Sequence, residues 1–211
     1  MTRFGFLFLL PLFAAGCVDP ALRGSFGPGA VPPAEQLAPR SAERLEASLI
    51  QSGASGQFVL LEDRDGIEFW QAIDGSALAL RDGIVVSTFA LGFDLATADV
   101  ADVANRFRTR QSGAATRVHR YLDGENQTVA RVFNCEVEIG TARNSSRFGG
   151  QVRSVTEACS GPLAAFENVY VVNNSGQSVA STQWVSPEIG YVRLAPPNAT
   201  SAVVVPQSGS N

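Results

Sequence analysis

The hydrophobic pattern divides the chain into three stretches. The first is an apolar run, Phe4 to Phe13, behind a single charge at Arg3 and ahead of Ala14-Ala15-Gly16-Cys17. At ten residues, or 12 with Ala14 and Ala15, it is too short to span a membrane as a helix, which takes roughly 20. A charged start, a short apolar run and small residues before a cysteine is the layout of a secretory leader of lipoprotein type. Cleavage after residue 16 would leave Cys17 as the lipidated N-terminus, although Ala14 stands where leucine is commonest. The second stretch, residues 17–40, has no apolar periodicity. It holds Pro20, Pro28, Pro32, Pro33 and Pro39 with Gly24, Gly27 and Gly29 between them, the composition of a tether.

The third stretch, 41–206, carries the fold. Ser41–Ser52 reads as a short helix capped by Ser41, with Leu45 and Leu49 on one face. Short apolar segments then alternate with Asp-Gly pairs at 65–66, 74–75, 82–83 and 123–124. Asp-Gly supplies the positive φ angles of tight hairpin turns, so Phe58–Leu61, Ile67–Ile73, Ala77–Arg81 and Ile84–Phe89 form an antiparallel meander. Thr97–Phe107 has helical spacing through Val100, Val103 and Ala104. Arg117–Leu122 reads as a strand. Thr128–Ile139 alternates: Val129, Phe133, Cys135, Val137 and Ile139 face inward, with Arg131 the exception, and Thr128, Asn134, Glu136 and Glu138 face outward. Further strands are expected near 148–157, 166–172, 178–185, 189–194 and 201–205, with a loose tail at 207–211. The expectation is a mainly β single domain of about ten antiparallel strands with two short helices. That many strands must curl into a barrel-like or two-layer form to bury one face and hide their edges.

Composition narrows the function. All 16 basic residues are arginine, against 20 acidic residues, a net charge of −4 that becomes −5 once Arg3 leaves with the leader. An acidic surface disfavours nucleic acid as a partner. With Cys17 committed to lipid, Cys135 and Cys159 remain, and an exported chain can pair them as a disulfide. A loop of about 25 residues closed in this way contributes about 3–3.5 kcal/mol in the chain-entropy account.

Catalytic chemistry is thin. The single histidine, His119, excludes a multi-histidine metal site, and its strand position reads as structural. Glu136 and Glu138 share a strand face about 7 Å apart, a solvated face before a glycosidase pair. Five arginines, Arg106, Arg108, Arg110, Arg117 and Arg120, fall in a stretch with no acidic residue, a candidate grip for an acidic glycan. Trp70 and Trp184 are candidate sugar platforms or core residues.

The ordered segments Arg64-Asp65-Gly66, Trp70, Asp74-Gly75, Leu80-Arg81-Asp82-Gly83-Ile84-Val85-Val86-Ser87-Thr88, Leu91-Gly92-Phe93-Asp94-Leu95 and Ala98-Asp99 resemble the YjbF/GfcB family of exopolysaccharide and capsule lipoproteins. Arg117–Leu122, Cys135 and the run Trp184–Tyr191 fit the same pattern. Within its motif of Thr88, Leu91, Gly92, Asp94 and Leu95 the chain departs from the family: Phe89 and Ala90 replace an arginine and a glycine. The resemblance implies a periplasm-facing lipoprotein serving synthesis or export of a surface polysaccharide, with no enzymatic activity and no cofactor. It would be held by Cys17 in outer-membrane lipid and act through contacts with export proteins of the envelope. Asp19 lies one place beyond the residue that would favour inner-membrane retention. The alternative is a glycan-binding module using the Arg106–Arg120 stretch, with Trp70 or Trp184. A glycan-processing enzyme is the third reading, disfavoured by the missing catalytic set.

Overall fold

The computed structural model describes residues 43–197 and 199. The leader, Cys17, the tether, the strand expected at 201–205 and the tail lie outside the described residues. Thirteen strands, all antiparallel, form one sheet: β1 (Arg44–Leu49), β2 (Ser55–Arg64), β3 (Ile67–Ala72), β4 (Ala77–Arg81), β5 (Ile84–Phe89), β6 (Leu95–Asp99), β7 (Gly113–Leu122), β8 (Thr128–Ile139), β9 (Arg143–Ser145), β10 (Gly150–Ser160), β11 (Ala165–Asn173), β12 (Ser178–Ser186) and β13 (Gly190–Ala195). One helix, α1 (Ala101–Thr109), lies between β6 and β7.

The strand order is β5-β4-β3-β2-β1-β13-β12-β11-β10-β8-β7-β6, with β9 paired to β10. The sheet curls until its two edges, β5 and β6, lie side by side. Side chains close that seam in place of a ladder. The Ser87 hydroxyl donates to the Leu95 and Ala96 carbonyls at 3.2 and 3.1 Å, and the Leu95 N–H donates to Thr88 Oγ1 at 2.9 Å. Facing walls also meet inside: Gln183 of β12 accepts the Val85 N–H and donates to the Gly83 carbonyl. The result is a nearly closed barrel, which buries one face of a long sheet and removes most of its exposed edge.

The expected fold class is present, with three differences of detail. There are thirteen strands where about ten were expected, and one helix among the described residues where two were. The segment read as a first helix is strand β1 within its described part, paired to both β2 and β13. Leu45 and Leu49 are four apart, a spacing that fits a helical face and a strand face equally. Ala47, buried between them, decides for the strand. The second helix starts later than expected: Thr97 and Asp99 belong to β6, and the Asp99 carboxylate accepts the Ala101 N–H as α1 begins. Val103, Ala104 and Phe107 turn inward, and Phe107 packs edge-on against Tyr170.

The hairpin turns follow their Asp-Gly pairs. Asp65-Gly66 and Asp82-Gly83 both take positive φ at both residues. Gly83 has a second constraint, since a Cβ there would collide with the Ser178 carbonyl. On β8 the inward set Phe133, Cys135 and Val137 is buried, whereas Val129 is exposed near the strand's start. Cys135 of β8 and Cys159 of β10 stand directly opposite each other and are joined as a disulfide.

Candidate functional site

A layer of buried polar side chains is set within the otherwise apolar core of the barrel. Along β7, alternate residues Ala115, Arg117, His119 and Tyr121 point inward and are buried. Arg117 Nη1 donates to Glu157 of β10 at 3.0 Å, a salt bridge with both side chains wholly enclosed. Arg117 also donates to the Tyr170 hydroxyl, the Val85 carbonyl and His119 Nε2. Glu157 accepts further bonds from Tyr170 at 2.6 Å and Asn168 at 2.8 Å. Asn168 in turn accepts the Trp184 N–H. One network therefore joins β5, β7, β10, β11 and β12.

These bonds fix the tautomer of His119. Its Nε2 accepts from Arg117, so Nδ1 carries the proton and donates to Tyr121, whose hydroxyl donates to the Val185 carbonyl at 2.6 Å. Burial first, then the charges of Arg117 and Arg131, push the imidazole down to about 2. The Arg117 guanidinium is held above its usual range: burial opposes its charge, but Glu157 and Tyr170 outweigh that. Tyr121 and Tyr170 are raised, chiefly by burial.

The neutral His119 makes folding pH-sensitive. Below its unfolded value near 6.5, the unfolded chain binds a proton that the folded chain refuses, so stability falls as the pH drops. Between pH 7.5 and 5.5 this group alone removes about 1.4 kcal/mol. Urea unfolding of a His119→Gln variant is expected to lack that increment of acid sensitivity. Equal pH dependence of the two proteins would contradict a neutral, buried imidazole.

The five arginines of the Arg106–Arg120 stretch do not form one surface. Arg106 is folded back on the Ala114 carbonyl, Arg108 pairs with Asp82 at 2.9 Å, and Arg110 donates to the Asn174 carbonyl. Arg117 is interior. Arg120 faces outward, three residues on and therefore on the other side of the pleat. Trp184 is core, stacked on Phe166 at 4.5 Å and near-parallel to His119 at 5.7 Å. Trp70 is buried and donates its indole N–H to Glu68 at 3.0 Å. Glu136 and Glu138 stand exposed on the outer face of β8.

Sequence reasoning missed Glu68. Its carboxylate lies in a cleft of about 310 Å³ lined by Leu45, Trp70, Leu80, Gln177 and Leu194, among others. Gln177, 109 positions away, donates to its other oxygen at 3.0 Å. Burial raises Glu68 above the usual carboxylate range; the Trp70 and Gln177 bonds oppose this, and Asp63 and Glu43 add to it. The only advance signal was Trp70 two residues along the same strand.

The sequence matches the family described as group 4 capsule polysaccharide lipoprotein GfcB, YjbF, over residues 32–195. The chain belongs to the YjbF family. It is therefore related to lipoproteins of the cell envelope associated with capsule polysaccharide. No curated protein matches the chain. A crystal structure of the hypothetical lipoprotein YmcC from Escherichia coli (K12) has the same fold, with a TM-score of 0.61 and 15% identity, covering 78% of this chain and 88% of that one.

The motif that suggested the YjbF family is a clasp at the seam. Asp94 Oδ1 accepts from the Thr88 hydroxyl at 2.8 Å and from the Leu91 N–H at 3.1 Å, and Thr88 accepts from Leu95. This pins the β5–β6 loop while Leu95 is buried beneath it. The departure from the YjbF pattern sits on the same loop. Phe89 is 66% exposed, and Ala90 takes φ 57°, a left-handed conformation that a glycine adopts more easily.

Proposed function

We propose that this chain is a non-catalytic accessory lipoprotein for synthesis or export of a surface polysaccharide. Cys17 anchors it in the inner leaflet of the outer membrane, residues 18–40 give reach, and the barrel faces the periplasm. The observation that carries the reading is the family match over residues 32–195.

The interior supports the non-catalytic part. Arg117, Glu157, His119, Tyr121 and Tyr170 are bonded to one another and enclosed, and offer no reacting atom to a substrate. The outer face of β2–β5 supports action through protein contacts. Leu61, Phe69 and Phe89 stand exposed around an apolar cleft of about 310 Å³, a cluster of large apolar side chains of the kind that marks a protein-contact surface. The test is surface polysaccharide in a producing strain that lacks the chain. Loss on deletion, restored by the wild-type chain, is the expected result; unchanged amount and composition would end this reading.

A further inference from the structure

We propose that a cleft at the barrel seam binds an acidic saccharide and holds its carboxylate between Arg81 and Arg120. This names the ligand class and rests on the reading that the chain serves a polysaccharide. The cleft encloses about 280 Å³ where the end of β4 meets the β6–α1 junction, and its lining includes Ile67, Arg81, Val86, Thr97, Asp99 and Arg120. Arg81 ends β4 and is exposed. Arg120 is half-buried on the outward face of β7, directly across from Thr97 of β6.

Three observations point to an acidic sugar. First, neither arginine has a hydrogen-bond or ion-pair partner among the described residues. That separates them from Arg106, Arg108, Arg110 and Arg117, all of which are engaged. A guanidinium keeps its charge at physiological pH, and its planar fork matches a carboxylate. Second, Ile67 and Val86 give the cleft apolar wall, which suits the C–H face of a sugar ring, while the Thr97 hydroxyl and Asp99 can bond ring hydroxyls. Third, Asp99 sets the charge. With one oxygen already on the Ala101 N–H, its negative charge tolerates a monoanionic uronate better than a dianionic phosphate. The two arginines are far apart in sequence and meet only because the sheet curls.

The test is calorimetry on the full chain in non-ionic detergent, with trigalacturonate as probe and its methyl ester as the uncharged control. The acid form is expected to bind, with the ester and the Arg81→Gln/Arg120→Gln protein each at least about tenfold weaker. An Arg64→Gln protein, which loses only the exposed pair to Glu62, is expected to bind like wild type. Unfolding midpoints check the fold, and Arg81→Gln alone, at an exposed strand end, serves if the double variant is unstable. Equal affinity for acid and ester, no binding of either, or full binding by the variants would overturn the inference. So would arginine-dependent binding to phosphatidylglycerol vesicles in preference to the uronate.

In cells the two readings separate. If polysaccharide needs the chain but the double variant supports it fully and binds no uronate less, this inference fails and the proposed function stands. If uronate binding depends on both arginines yet the chain is dispensable for polysaccharide, the proposed function fails and the binding site stands.

Discussion

Replacing Glu157 with alanine is expected to cost about 3–5 kcal/mol of folding stability, the range for breaking one partner out of a buried ion pair. The change leaves the Arg117 guanidinium enclosed without a counter-charge and removes the acceptor used by Tyr170 and Asn168. Arg117 cannot escape by losing its proton, and its position on β7 aims it into the barrel. For a domain of this size the melting temperature should fall by roughly 6–20 °C. The pair itself need not be more stable than an apolar replacement. An Arg117→Met/Glu157→Leu protein is therefore expected to recover much of the loss, which a double-mutant cycle in urea would show. A Glu157→Ala protein with a wild-type midpoint would mean that the network contributes nothing to the fold.

Removing the disulfide is expected to cost about 2–5 kcal/mol. Cys135 and Cys159 lie 24 positions apart, join β8 to β10, and are both buried. In the chain-entropy account a loop of this length is worth about 3.5 kcal/mol through the unfolded state. The Cys159 sulfur is also 3.4 Å from Glu157, so the bridge and the ionic network share one layer of the core. A Cys135→Ala/Cys159→Ala chain, or wild type unfolded in reductant, should show a lower urea midpoint. Midpoints equal to the oxidised protein would contradict the bridge as a stabilising element.

The legible parts of the fold were those with local causes. Asp-Gly pairs placed the hairpins because turn geometry depends on adjacent residues. The alternation on β8 pointed Cys135 inward, where its partner on β10 is found. β1 misled because Leu45 and Leu49 satisfy two periods at once. The boundary before α1 misled because Asp99 ends a strand and caps a helix together.

The site was legible only in fragments. A run of five arginines looks like one patch, but the pleat sends Arg117 inward and Arg120 outward, and carbonyls and Asp82 take the three on or next to α1. The partners that matter come from distant segments: Arg81 with Arg120, Glu68 with Gln177. Sheet closure brings them together, and no local pattern encodes closure.

The function proposed above is that of an anchored accessory lipoprotein for surface polysaccharide that performs no chemistry of its own. Surface polysaccharide measured in a producing strain carrying an exported but unlipidated Cys17→Ala chain tests that most directly. The account predicts normal export and folding of the domain with a marked fall in surface polysaccharide, towards the level of a strain lacking the chain. Full polysaccharide from the soluble form would contradict it.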